Sequence, residues 1–219
     1  MFKFLIFDWD GTLIDSADRI IASMQRAAVD LGLVEPGAEA VRNIIGLGLP
    51  EALQAIFPGI DKQGVEGMRE RYSHYYLRAD DTPTALFPGV EQGLAQLAEK
   101  GYQLAVATGK SRRGLEQVFA ETGIKELFQH SRCADETRSK PHPLMLHELL
   151  QESGYQANQA LMIGDTEFDL EMATNAQVSS MGVAYGAHSV QRLLTHNPVT
   201  IIDQFSELTE WLDANQQAS

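Results

Sequence analysis

Short runs of uninterrupted apolar residues alternate along this chain with stretches in which apolar positions recur every three or four residues. Phe4-Leu5-Ile6-Phe7 is such a run, closed by Asp8. A strand with one face in water would alternate apolar and polar residues. An unbroken run therefore predicts a strand covered on both faces, as in a parallel sheet. Similar runs stand at Leu104–Ala107, Ala160–Ile163 and Ser180–Val183, with a weaker one near Leu127–Cys133. Helical periodicity fills the gaps. Val90, Leu94 and Leu97 share one face before Gly101, as do Leu115, Val118 and Phe119 before Gly123, and Leu146, Leu149 and Leu150 before Gly154. Glycine just beyond a periodic stretch is where a helix stops. The alternation predicts an α/β fold: a Rossmann-like parallel sheet sandwiched by helices.

Residues 17–81 break that rhythm, with helical patterns and no strand signal. Ile20, Met24, Ala27, Ala28 and Leu31 form an amphipathic stripe behind Ser16, a residue type suited to cap a helix N-terminus. Further helices are expected around Glu39–Ile45, Pro50–Phe57 and Val65–Tyr76. The pattern predicts a second, smaller, all-helical domain, residues 17–81, inserted after the first strand of the main domain formed by residues 1–16 and 82–219. The joints fall near Ile14–Ala17 and Asp80–Pro88, where Asp-Asp-Thr-Pro and Phe-Pro-Gly mark loops. No internal repeat or low-complexity tract is visible, and Asn215–Ser219 reads as a frayed tail.

Composition narrows the partners. The chain has 219 residues, and 17 basic against 30 acidic side chains give 17 − 30 = −13. That sign opposes nucleic acid and anionic membrane faces, so neither is an expected partner. Cys133 is the single cysteine, which precludes an intramolecular disulfide and suits a buried small apolar side chain better than a catalytic thiol. The opening apolar run is too short for a signal peptide or membrane span, and a cytoplasmic protein, monomer or homodimer, is expected.

In an open parallel sheet, ligands bind beyond the carboxyl ends of the strands. Asp8 and Asp10 follow the first run, Thr108 the second, and Gly164-Asp165 with Asp169 the fourth. Lys140 sits in the loop Ser139-Lys140-Pro141. Any one of these aspartates is explained as a helix cap; the set is not. The sharpest group is Asp8-Trp9-Asp10-Gly11-Thr12, a D-x-D-G-T pattern expected by chance in about two chains per thousand of this length. Gly109-Lys110-Ser111 ends like a phosphate-binding P-loop, but the glycine that pattern requires is Leu104. Gly46-Leu47-Gly48 reads as a turn of the helical insert facing the site. The histidines lack zinc spacing, and Tyr72, Tyr75 and Tyr76 read as core or surface of the insert.

These motifs resemble those of the haloacid dehalogenase (HAD) superfamily over nearly the whole chain. Asp8–Leu13 is similar to its first motif, Thr108 to the second, Lys140 to the third and Gly164-Asp165-x-x-x-Asp169 to the fourth, in order and spacing. The helical insert resembles a type 1 cap. Phe7–Leu13, Thr108-Gly109-Lys110-Ser111 and Lys140-Pro141-His142-Pro143 look most like the phosphoglycolate phosphatase-like branch. Two positions depart from that branch. Ala176-Gln177 stands where Ala-Gly is usual, and Leu47 stands where several relatives carry a basic cap residue, with Arg42, Lys110 and Arg112 as replacement candidates that suit surface charges better.

The resemblance implies a phosphatase acting on a small phosphorylated metabolite, phosphoglycolate-like or a sugar or nucleotide phosphate. Asp8 is then the nucleophile that forms an aspartyl-phosphate, and Asp10 the general acid and base. Trp9, Gly11, Thr108, Gly109 and Lys140 would bind the phosphoryl group, Trp9 through its backbone N–H. With Asp8, Asp10, Asp165 and Asp169 ionised and only Lys140 opposing them, such a site carries −4 + 1 = −3 before substrate arrives. A hard cation resolves that excess, and Mg²⁺ is the expected cofactor. By resemblance Asp8 and Asp165 are side-chain ligands, Asp10 a backbone ligand and Asp169 an orienting group. Glu167 suits a solvated helix start better than the metal's outer shell. Asp10 speaks against dehalogenases, phosphonatases and ion pumps. A phosphomutase of the same superfamily is the alternative enzyme, and a phospho-accepting receiver-like module the alternative outside enzymes.

Overall fold

The protein is described by a computed structural model covering residues 1–79 and 81–217. A six-stranded sheet runs in the order β5-β4-β1-β6-β7-β8, and every neighbouring pair is parallel. Its members are β1 (Phe4–Phe7), β4 (Gln103–Thr108), β5 (His130–Cys133), β6 (Ala160–Gly164), β7 (Ser179–Val183) and β8 (Ile201–Ile202). β1 is central, with Phe4 opposite Gln103 on one side and Ala160 on the other. The chain builds outward through β4 and β5, then crosses to β6 on β1's other side. That reversal opens a crevice at the carboxyl end of β1, where Asp8 stands.

The period-two geometry of a strand sends alternate side chains to opposite faces. Leu5 and Phe7 enter one core with α5 (Val90–Glu99), α6 (Arg112–Thr122) and α10 (Ser206–Gln217). Phe4 and Ile6 enter the other with α7 (Leu144–Ser153) and α8 (Glu167–Asn175). All four residues of β1 are fully buried, which is why its sequence shows no alternation. α5, α6 and α7 stop before Gly101, Gly123 and Gly154 as predicted.

Three short strands were not legible. β2 (Ile14–Asp15) and β3 (Ala85–Leu86) pair antiparallel with Ile14 opposite Leu86, and β8 edges the main sheet. Two-residue strands carry no periodicity to detect. β2 and β3 form the two legs on which the chain leaves and rejoins the sheet. Between them run α1 (Ala17–Asp30), α2 (Ala38–Arg42), α3 (Leu49–Ile56), α4 (Lys62–His74) and a π-helical turn, Tyr75–Ala79. Their apolar stripes meet in a separate core that includes Ile20, Met24, Val41, Leu53 and Met68. The tail expected to fray from Asn215 is helical to Gln217, and residues 218–219 lie outside the described residues.

Candidate active site

Asp8 is held at the floor of the crevice, almost wholly buried, its Oδ1 2.7 Å from Lys140 Nζ. That contact is an ion pair outside hydrogen-bond geometry. Among the described residues neither Asp8 carboxylate oxygen accepts a hydrogen bond. Burial raises its pKa well above the carboxylate range; Lys140 opposes the shift, while Asp169 and Asp165 add to it.

Asp165, just past β6, is fully buried and better provided for. Thr12 Oγ1 donates to its Oδ1 at 2.8 Å and the Ala187 N–H to its Oδ2 at 2.7 Å. Burial, then the charge of Asp169, still pushes its pKa up to about 7. Room for it comes from Gly11, whose φ is +84° and where a Cβ would lie 2.1 Å from Asp165 Oδ2. Only glycine is accommodated in that turn. Asp169 serves two ends. Its Oδ2 accepts from the Thr166 N–H and hydroxyl at 3.1 and 2.7 Å, capping α8, while Oδ1 accepts from Lys140 at 2.6 Å. Burial works against the charge on Lys140, but Asp169 and Asp8 hold its pKa above the usual ammonium range.

Asp8, Asp165 and Asp169 each offer an oxygen within 4.8 Å of one another. With both Asp169 oxygens committed and both Asp8 oxygens without donors, this all-carboxylate set fits a hard divalent cation. The side chain of Asp10 is not in the cluster. It turns toward the helical insert, where Ser16 Oγ donates to Oδ1 at 2.6 Å and Lys110 Nζ to both oxygens at 2.9 Å.

Several sequence expectations change here. Ser16 stands at the N-terminus of α1 but its hydroxyl serves Asp10, leaving the helix without a side-chain cap. Lys110 is not a surface charge: its side chain is 7% exposed and packs over the Tyr76 ring at 4.3 Å. Counting it, four carboxylates face two ammoniums, −4 + 2 = −2 rather than −3. Burial opposes that ammonium, yet Asp10 and the two tyrosines hold its pKa above the usual value. Tyr76 belongs to the insert's core, as expected, but its hydroxyl accepts from Lys110 at 2.8 Å and lies 3.5 Å from Asp10. The i, i+4 spacing of Tyr72 and Tyr76, whose rings stack at 5.7 Å, was the available signal. Thr108 is fully buried, its Oγ1 accepting from the Lys110 N–H at 3.2 Å. Trp9 packs on Phe119 at 5.1 Å. Arg42 and Arg112 point elsewhere, to Asp18 and to Glu136. Glu167 pairs with Arg192, and Cys133 is buried, its thiol pushed up to about 12 by desolvation.

The insert closes over this floor. Gly46-Leu47-Gly48 does face it: a Cβ on Gly109 would sit 2.5 Å from Leu47 O, and the Gly48 N–H donates to Ser139 Oγ at 2.7 Å. On the other side Arg192 Nη1 donates to Asn43 Oδ1 at 2.6 Å. His188 Nδ1 accepts from the Glu167 N–H, so its Nε2–H faces Asn43 O at 3.3 Å, and burial lowers its pKa toward the neutral ring. Between insert and sheet lies a cleft of about 900 Å³ with Asp8, Asp10 and Lys140 among its walls.

A buried carboxylate thus stands beside a lysine and two further carboxylates, at the switch point of a parallel sheet under the helical insert. The model of the haloacid dehalogenase-like hydrolases matches residues 5–183. The chain belongs to that family. It is 34% identical over 208 residues to the Dickeya dadantii protein named "Probable phosphatase IndB", covering 93% of this chain and 90% of that one. It is 32% identical to a phosphoglycolate phosphatase of Pectobacterium atrosepticum, covering 93% and 89%. The crystal structure of a hydrolase from Pseudomonas syringae shares the fold, with TM-score 0.88, 20% identity and coverage of 98% and 99%. This HAD-like hydrolase and that protein therefore have the same fold. Among the described residues no helix is long and apolar enough to cross a membrane.

Proposed function

We propose that this HAD-like phosphatase hydrolyses a small phosphorylated metabolite through an aspartyl-phosphate on Asp8. The observation that carries the reading is the Asp8 carboxylate: buried, without a hydrogen-bond donor, and steadied only by the Lys140 ammonium at 2.7 Å. Lys140 favours the ionised form against burial; in that form the oxygen would attack phosphorus, and covalent capture divides one difficult displacement into two. Lys140, kept charged between Asp8 and Asp169, offsets negative charge on the phosphoryl group. The Thr108 hydroxyl and the backbone N–H groups of Trp9 and Gly109 would orient the phosphoryl oxygens. Asp10 would give a proton to the departing ester oxygen and take one from the attacking water. Lys110 Nζ donates to both Asp10 oxygens at 2.9 Å and holds that side chain in place. Asp8, Asp165 and the Asp10 backbone carbonyl would hold Mg²⁺, with Asp169 orienting Lys140. When bound, the ion would neutralise the carboxylates and polarise the phosphoryl oxygens. In this reading residues 17–81 form the cap domain and 1–16 with 82–219 the catalytic core, acting in the cytoplasm.

The test is phosphate release from a panel of phosphomonoesters, in EDTA and after Mg²⁺ is restored. Release that vanishes with chelator and returns with Mg²⁺ is expected. A rearranged phosphate ester without free phosphate would make the protein a mutase. No release from any ester would sink the hydrolase reading.

A further inference from the structure

The two-carbon ester named for one relative is far smaller than the cleft. Ligand pockets of about 300–1,000 Å³ enclose drug-sized molecules, and this one measures about 900 Å³. Its lid-side wall is apolar and branched, formed by Ile44, Ile45, Leu47 and Leu49. It also carries the half-buried Tyr72, whose ring stacks at 5.7 Å on the buried Tyr76, itself under Lys110. The core-side rim is different. Arg113 and Arg138 line it, both exposed, and neither has a hydrogen bond or ion pair among the described residues. Unpaired guanidiniums stand out in a chain of net charge −13.

We infer that the physiological substrate is a phosphomonoester whose alcohol carries a planar, heteroatom-bearing ring. The inference rests on the phosphatase reading above and adds the leaving group to it. The phosphate end would reach Asp8, while the ring would lie against Tyr72 and the branched wall. A rigid ring loses little conformational freedom on binding, and aromatic side chains hold ring faces with specific geometry. Ring heteroatoms at the outer end would accept from Arg113 and Arg138, whose planar forks suit flat acceptors. A plain alkyl chain would leave those donors unused, and a two-carbon acid would leave the lid-side wall wet.

The experiment compares kcat/KM of the Mg²⁺-loaded full chain for a purine nucleoside 5′-monophosphate, a pyrimidine nucleoside 5′-monophosphate, glycerol 3-phosphate and 2-phosphoglycolate. At least one ring ester should exceed 2-phosphoglycolate by tenfold or more. In Tyr72→Ala that ratio should fall about tenfold, chiefly through KM of the ring ester. If Tyr72→Ala does not fold, Leu47→Lys supplies the second reading: a cation in the apolar wall should shift the ratio the same way. A ratio at or below one in the wild type overturns the inference and leaves the phosphatase reading standing. So does a ratio unmoved by the folded variants. Absence of phosphate release from all four esters and from the broader panel overturns the reading beneath it.

Discussion

Asp8 and Lys140 carry opposite risks when changed. Asp8→Asn keeps the shape of a buried side chain and removes its nucleophilicity, so kcat should fall by several orders of magnitude while the circular dichroism spectrum and melting curve persist. A variant retaining a tenth of the wild-type rate would remove Asp8 from the role. Lys140→Met strips the ammonium from between two carboxylates that have no solvent around them. Breaking a buried ion pair from one side costs about 3–5 kcal/mol, so the metal-free variant should unfold at markedly lower denaturant concentration, and added Mg²⁺ should recover part of the loss. An unchanged midpoint would mean that Lys140 does not hold the cluster together. The carboxylates were legible in the sequence because they follow apolar runs at strand ends. Lys110 was not: nothing local marks a lysine two residues past a strand as buried, and its partner Asp10 lies 100 residues away.

Helix ends show which elements follow local rules and where the site overrides them. Gln177, at the close of α8, has φ +58°, the left-handed region where glycine is favoured. A side chain there costs about 1–2 kcal/mol, partly offset by glycine's unfolded-state entropy. Gln177→Gly should therefore raise the melting temperature by about 1–4 °C with kcat unchanged; a lower melting temperature would contradict the strain. Ser16 is the opposite case. Its sequence position predicted a cap, but its hydroxyl instead anchors Asp10, so α1 begins where the site requires. β1, β4, β6 and β7 were readable because burial on both faces writes itself as an apolar run. β2, β3 and β8 were not, since two residues set by pairing across 70 or more positions or at a sheet edge leave no local trace. Arg112 joins α6 to the loop after β5, holding the Glu136 carboxyl below its ordinary range, with the Glu116 carboxyl lowered chiefly by Lys125. Stability from a lowered carboxylate is present above its unfolded pKa and is lost as pH falls through the folded one. Acid unfolding should thus be less steep below about pH 4.5 in Arg112→Met than in the wild type.

Across the whole molecule, the insert and the sheet meet through side chains, Arg192 and His188 on Asn43 and Lys110 on Tyr76, and through one close backbone approach. Leu47 and Gly46 carbonyls lie against Gly109, so Gly109→Ala, with a Cβ 2.5 Å from Leu47 O, should wedge the lid away from the floor. Its KM should rise and kcat fall together, with little change in denaturant midpoint; normal kinetics would mean the lid need not seat there. Such contacts follow from the assembled fold, which is why the strand-end carboxylates could be placed from the chain while the lid's seating and the Tyr76–Lys110–Asp10 connection could not. A burst assay with an activated aryl phosphate separates the two steps proposed for Asp8 and Asp10, formation of a covalent intermediate and its discharge. A good leaving group needs little protonation, so Asp10→Asn should still accept phosphate from it but release it slowly. The account predicts a burst of about one aryl alcohol per protein, an added mass of one phosphoryl group on Asp10→Asn, and neither in Asp8→Asn. A phosphoryl group found on another residue, or a full burst in Asp8→Asn, would contradict it.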